Sequence, residues 1–314
     1  MKRFILGSAF ALAAALPGFA GDYAIMAPAA PGGGWDSTAR TMQEVLQAEG
    51  ISGSVQVENV PGAGGTVGLA QFVAGASGDP SKLIVGGYVM VGAILTNASP
   101  VSLADVTPIA RLTGEAEAIA VPVGSPIQTI GDLVELLKAD PGAVSWAGGS
   151  AGGVDHITVG LLAKAAGVDP TKVNYVAFSG GGEALAAILG NQVTAGISSV
   201  SEFQAQADAG TMRILAVSTA ERWPSTDAPT LKESGIDVDV LNWRMVAAAP
   251  GLSDEQKAAV AADIDKLANS EGWKSALATK GWANTYLTGA DFDAQLAKEI
   301  EATTAVLKEI GLVQ

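Results

Sequence analysis

Four Gly-rich turns, each set between a short apolar strand and a helical pattern, constrain this chain more than any other feature. They read Pro31-Gly-Gly-Gly-Trp-Asp36, Pro61-Gly-Ala-Gly-Gly65, Gly148-Gly-Ser-Ala-Gly-Gly153 and Ser179-Gly-Gly-Gly182. Consecutive glycines let the backbone come close to whatever lies above it, and the helix that follows adds the positive end of its dipole. Each turn is therefore a candidate anion site built without a charged side chain. Strand, Gly turn and helix in repeated succession also predict a mostly parallel sheet with helices on its faces, an α/β class. In such sheets ligands collect beyond the carboxyl ends of the strands.

In chain order, strands are expected at 22–27, 55–58 and 83–88, with Tyr88 in the loop after the third. Helices are expected from Asp36 to Glu49, where Asp36 or Ser37 caps the first turn, and from Thr66 to Gly75. Residues 109–121 read as extended, and Ala118 to Pro126 reads as a crossing between lobes. The same grammar then repeats, with strands at 144–147, 173–178, 193–198 and 214–218 and helices at 130–138, 155–166, 183–189 and 201–209. Val240 to Pro250 reads as the return crossing, and 253–312 as mainly helical with caps at Ser253 and Ser270. This divides the chain into a first lobe, 21–122 plus 242–314, and a second, 123–241, with the Gly-rich loops of both facing one cleft.

The first twenty residues set the cellular context. Lys2 and Arg3 precede an apolar run from Phe4 to Leu16, and Gly18-Phe19-Ala20 places small residues at a cleavage site, so residues 1–20 are expected to be a signal peptide. Removing it takes away two cations and no acid, which moves the formal charge from −14 to −16. Nucleic acid and anionic membranes are poor partners for such a surface. A small anion is not excluded, because salt screens distant charge beyond about 8 Å while backbone N–H groups act at contact. The chain has no cysteine and one histidine, which removes disulfides and thiolate chemistry and leaves no cluster spaced for a metal. No cofactor is expected.

Gly148-Gly-Ser150-Ala-Gly152 matches the G-x-S-x-G nucleophile elbow, so a Ser150-dependent esterase is the alternative to a binding protein. That enzyme needs a base late in the chain, whereas His156 lies six residues after Ser150 and no histidine follows. Gly62-Ala-Gly-Gly-Thr-Val-Gly68 fails the dinucleotide spacing at Val67, and no phosphate-loop lysine motif is present. At a helix start, His156 suits a neutral hydrogen-bond donor. Trp35 is expected to pack over the cleft. Arg244 is open between a ligand carboxylate and an interlobe ion pair.

Together, residues 27–36, Glu58-Asn-Val-Pro-Gly-Ala-Gly-Gly65, Gly148-Gly-Ser-Ala-Gly-Gly-Val-Asp-His156, Ser179-Gly-Gly-Gly-Glu-Ala-Leu185 and Asn242-Trp-Arg244 resemble the substrate-binding proteins of tripartite tricarboxylate transporters, the TctC or Bug family. The resemblance implies a type II two-lobed periplasmic binding-protein fold, a monomeric receptor that closes on a di- or tricarboxylate and delivers it to membrane permease subunits. A sensor kinase is a second possible reader of the closed form. It also implies ligand contacts from Ala29, Gly33, Gly34, Trp35, Asp36, Gly64, Gly65 and Tyr88 in the first lobe. Ser150, His156, Ser179, Gly180 and Ser199 complete the implied set, with Arg244 from the return crossing. Citrate-like acids lead this expectation, and Asp155 beside the cleft works against a highly charged ligand unless it points away.

Overall fold

The computed structural model describes residues 21–314; the expected signal peptide lies outside the described residues. Ten strands and ten α-helices alternate along them. The first group is β1 (Tyr23–Ala27), α1 (Gly34–Ala48), β2 (Val55–Asn59), α2 (Thr66–Gly75), β3 (Lys82–Gly87) and α3 (Tyr88–Thr96). The long strand β4 (Thr107–Pro122) leads into α4 (Ile130–Ala139), β5 (Ser145–Gly148), α5 (Val154–Ala165), β6 (Asn174–Ala177) and α6 (Gly181–Leu189). Then come β7 (Ala195–Ser199), α7 (Val200–Asp208), β8 (Met212–Val217), β9 (Leu241–Ala248), α8 (Asp254–Asn269), α9 (Glu271–Lys280), β10 (Ala283–Thr288) and α10 (Gly289–Glu309).

The two-fold grammar of the sequence is visible in the pairing. Parallel strands in the order β2-β1-β3 continue through antiparallel β9 to β4, and parallel β6-β5-β7 reach β4 from the other side. β4 belongs to both halves. Its residues up to Ala116 pair with β9 and β10, and from Glu117 onward it pairs with β7 and β8. The first crossing is thus at Ala116–Glu117, earlier than the expected 118–126, because Ala118 to Pro122 are already laddered to the second half. The return crossing falls at the start of the expected stretch: Val240 N–H still bonds to Ser218 O, and Leu241 opens the strand that pairs with Ala116 in the first half.

Local chemistry explains most element boundaries. α1 buries Ala39, Met42, Val45 and Leu46 along one stripe, as a 3.6-residue period requires. α4 and α8 open on reciprocal caps, Thr129 with Asp132 and Ser253 with Gln256, and Ser270 caps α9. The expected capping by Asp36 or Ser37 is corrected: the helix begins at Gly34 with Gly33 as N-cap, which has no side chain to offer. Tyr88 is also not in a loop, because β3 runs straight into α3 at that residue.

Each half has its own apolar core. Ile25, Met42, Leu46, Leu69, Leu83, Trp273 and Phe292 fill the first, and Ile119, Leu133, Trp146, Leu162 and Ile197 the second. The end of α10 reaches across, where Leu307 and Ile310 pack on Ile157 of α5 and Lys164 pairs with Glu309. Among the described residues no helix is long and apolar enough to cross a membrane.

Candidate functional site: an interlobe cleft ringed by helix N-termini

A cavity of about 740 Å³ opens between the two halves. Gly33, Gly65, Gly153, Gly180 and Ser199 all line it, and they are the N-cap residues of α1, α2, α5, α6 and α7. The first N–H groups of a helix have no acceptor inside it, and each helix adds roughly half a positive charge at that end. Five such ends directed at one space make it receptive to an anion with little help from side chains.

The loops hold this geometry through close packing that only glycine permits. Gly62, Ala63, Gly64 and Gly65 all have positive φ, 139°, 46°, 62° and 89°, so the chain turns through consecutive left-handed residues. At Gly34 an added Cβ would stand 2.5 Å from Arg244 Nη2, which shows how closely the guanidinium packs beneath the triglycine loop. Trp35, nearly buried, lines the cleft and lays its ring on Gly65, whose added Cβ would be 2.6 Å away.

Asp36 acts behind the loop. Its carboxylate accepts from Gly32 N–H at 2.8 Å, Arg40 Nε at 3.0 Å and Asn59 Nδ2 at 2.8 Å, and Asn59 Nδ2 also donates to Ala29 O. Burial pushes its pKa up, but the bonds from Arg40, Gly32 and Asn59 outweigh that and hold it below the ordinary carboxylate range. Asp36→Ala is expected to destabilise the fold by about 2–3 kcal/mol, since it strips a charged acceptor from three donors. Denaturant titration would read this, together with a loosened loop in hydrogen exchange at Gly32–Gly34.

The second wall is built similarly. Gly149 N–H donates to Asp155 Oδ2 at 2.6 Å, Gly152 N–H to His156 Nδ1 at 3.3 Å, and Tyr175 Oη to Gly149 O at 2.9 Å. His156 stacks on Tyr175 with ring centroids 4.0 Å apart. Burial brings its pKa down to about 4, so the ring is neutral at pH 7 and accepts through Nδ1. His156 therefore pins the 149–153 loop; it does not line the cleft and it bonds to Gly152, not Ser150, which leaves Ser150 without the base that an esterase needs.

Of the fourteen residues expected at the site, Ala29, Gly33, Gly34, Trp35, Gly64, Gly65, Ser150, Ser179, Gly180, Ser199 and Arg244 line the cleft. Asp36 and His156 stand one layer behind. Tyr88 is elsewhere, stacked on Trp243 with centroids 6.2 Å apart. Asn97, Asn242 and Glu202 line the cleft without having been expected.

The floor was also unanticipated. Glu115 and Glu117, two residues apart on β4 and so on one face of the strand, are fully buried. Arg244 Nη2 donates to Glu115 Oε2 at 2.8 Å and to Ser199 Oγ at 3.3 Å; Asn242 Nδ2 also donates to Ser199 Oγ, which in turn donates to Glu117 Oε1. Arg244 Nη1 and Glu117 Oε2 have no partner. Desolvation, with Asp155, Glu115 and Glu202 nearby, pushes the Glu117 carboxyl well above its usual range. The sign follows from linkage. Stability conferred by the protonated acid is present below the unfolded-state pKa and is lost as pH rises through the higher folded-state value. Glu117→Gln stays neutral, so its melting temperature is expected to exceed that of the wild type at pH 8 by roughly 2–4 °C and to match it near pH 5.

Two lobes joined at β4 and β9 around a cleft are the fold of the periplasmic binding proteins. The chain belongs to the tripartite tricarboxylate transporter family receptors, whose family model matches residues 38–312. It is 25% identical over 292 residues to protein BugT of Bordetella pertussis, covering 91% of this chain and 88% of that one. In fold it resembles R. palustris Rpa4515, solved with adipate (TM-score 0.83, 22% identity, 92% and 97% of the two chains covered). It also resembles MatC of Rhodopseudomonas palustris, solved with bound malate (TM-score 0.71, 23% identity, 92% and 96% covered).

Proposed function

We propose that this protein is a periplasmic receptor that closes on a small organic acid and delivers it to the permease of a tripartite transporter. The observation that carries this reading is the convergence of five helix N-caps on a cavity in which Arg244 is the one cation among the described lining residues. A carboxylate suits both at once: it accepts from backbone N–H groups and is drawn by the positive charge of the guanidinium. In this reading Ala29, Gly33, Gly34, Trp35, Gly64 and Gly65 form one jaw and Ser150, Ser179, Gly180 and Ser199 the other. Asp36 and His156 hold the loops. The residues up to Ala116 with those from Leu241 onward move as one lobe against the stretch between them, and the first twenty residues are the leader removed on export. That the relatives named above were solved with malate and adipate supports an acid as the ligand class.

Closure needs a ligand that touches both jaws, since only such contacts favour the closed state over the open one. Trp35 in the cleft supplies a probe. Titration of the mature protein with mono-, di- and tricarboxylates, citrate included, is expected to give a saturable change in tryptophan fluorescence for at least one acid. A flat response to the whole panel would end this reading.

A further inference from the structure

A cleft that draws anions is itself walled by acids. Among the described lining residues Arg244 is the one cation, while Asp155, Glu183 and Glu202 are acids. Arg244 is matched by Glu115, fully buried beneath the cleft and bonded to it at 2.8 Å, so that pair carries no net charge. Glu117 beside it is kept in the protonated form by burial and by the neighbouring acids. A ligand carboxylate therefore adds a negative charge where the uncompensated side-chain charges are already negative. Like charges brought together away from water favour protonation of whichever acid is free to accept a proton.

Glu202 is the acid placed to do so. The Asp155 carboxylate is engaged by the Gly149 N–H at 2.6 Å and that of Glu183 by the Ser179 N–H at 3.0 Å, bonds that favour the charged form. Glu202, in the first turn of α7, accepts from the Ser198 hydroxyl, and its carboxyl lies over the start of α6 so closely that a Cβ at Gly181 would have no room. A ligand carboxylate drawn to that helix end arrives beside a carboxylate already there.

The charged groups around it come from every neighbouring element. Arg244 of β9, Glu115 of β4 and Asp155 of α5 act on Glu202 directly, and burial with the two acids outweighs Ser198 and Arg244, holding the group at about 7. Arg213, the one charge on β8, is tied to the carbonyls of Ile127 and Val123. Lys280, at the end of α9, lines a side cavity of about 420 Å³ together with Glu202, but it donates to Ser37 Oγ and lies over the Trp282 ring. Glu202 is the one titratable residue among those lining both cavities, and the exposed residues Ser201, Ala278 and Thr279 border the smaller. A proton can thus reach Glu202 from the side cavity while ligand fills the cleft.

Resting on the receptor reading above, we infer that the receptor takes up a proton together with its anionic ligand, and that the Glu202 carboxyl is the site of that proton. The direction follows from linkage: the ligand-bound form holds more protons, so affinity falls as pH rises.

The test is isothermal titration of the mature protein, freed of copurified ligand, with malate, succinate, glutarate and adipate, which are dianions at pH 7 and above. Each titration is run in HEPES and in Tris, whose different heats of ionisation give the number of protons taken up. For the acids that bind, uptake of about half a proton is expected at pH 7, and affinity is expected to fall on the order of 10-fold between pH 7 and pH 9. Glu202→Gln, which keeps the size of the side chain but carries no charge, is expected to take up under about 0.1 proton, to bind with an affinity flat to within about 2-fold, and to bind more tightly than the wild type at pH 9. Wild-type binding with no uptake and no pH slope overturns the inference and leaves the receptor reading standing. Uptake undiminished in Glu202→Gln places the proton on another acid and overturns the assignment. A second measurement needs no ligand: carbon-13 NMR of the glutamate carboxyls, with the Glu202 signal assigned from the variant, is expected to show a titration near pH 7, and one below pH 5 overturns the inference. Should none of the four acids bind, the receptor reading falls and the inference with it.

Discussion

Arg244→Met is expected to abolish acid binding and to lower the melting temperature by roughly 10 °C. Removing one partner of a buried ion pair leaves the other charged and unsolvated, which costs about 3–5 kcal/mol, and a domain of this size loses roughly 2–4 °C per kcal/mol. Glu115 is that stranded partner, fully buried and bonded to Arg244 Nη2 at 2.8 Å. The loss of binding and the loss of stability are separable. In the double variant Arg244→Met, Glu115→Leu the buried charge is gone from both sides, so most of the stability is expected to return while binding does not. Calorimetric scanning beside a fluorescence titration would read both. A double variant that regained ligand would show that the helix N-termini suffice without a guanidinium.

The second large effect is expected at Gly92, in the middle of α3. An added Cβ there would come within 1.9 Å of Gly152 O, and one at Gly152 within 2.3 Å of Thr96 Cγ2, where Thr96 Oγ1 also reaches Ala151 O at 3.4 Å. These atoms belong to opposite jaws. Gly64 and Ser150 make a parallel contact nearby, with a Cβ at Gly64 falling 3.3 Å from Ser150 Cβ. Gly92→Ala inserts one methyl group between two backbones that cannot yield, so the lobes stop short of this arrangement. Ligand affinity is expected to fall on the order of 100-fold, about 2.7 kcal/mol of lost closure. The unliganded protein keeps its stability or gains up to about 1 kcal/mol from the better helix former. Small-angle scattering with and without acid would show whether compaction on binding is lost. Wild-type affinity in Gly92→Ala would show that this contact is not part of the bound state.

What could be read from the sequence was what short-range chemistry writes. α2 falls where the pattern puts it, Thr66 to Gly75, and Ser253 and Ser270 cap the helices that follow them. The Gly-rich turns were readable for the same reason, because a left-handed or tightly approached backbone demands glycine at that very residue. β10 escaped notice. Ala283 to Thr288 lies between two helical stretches, and its partner β4 is about 170 residues away, joined through a shifted register that leaves no period in the sequence. Tyr88 was drawn to the cleft by its place after a strand, but β3 continues directly into α3, and the ring turns to Trp243.

The carboxyl floor was a different kind of omission. Glu115-Ala-Glu117 alternates inside an otherwise apolar extended run, the one signal that acids there face a common side. Nothing local says that the side is interior, because Arg244, Ser199 and Asn242 arrive from strands far away in the chain. Asp155 and His156 show the same limit. Both were read correctly as starting a helix at the second wall, but the Asp155 carboxylate, which lines the cleft, holds the Gly149 N–H, and the His156 ring holds the Gly152 N–H from behind.

The end of α10 has a mechanical consequence. The helix starts beside β4 in the first half and finishes on the second, where an added Cβ at Gly160 would meet Ile310 Cδ1 at 2.9 Å and Gly311 sits against Thr171. Away from the contacts between the jaws themselves, the halves are thus joined at two separated places, the β4–β9 floor and the α5–α10 contact. A body held at two points keeps a single rotation, about the line through them. Closure as proposed above is therefore expected to follow a swing like that of a door on two pins, with the last eight residues of the chain carrying the second pin.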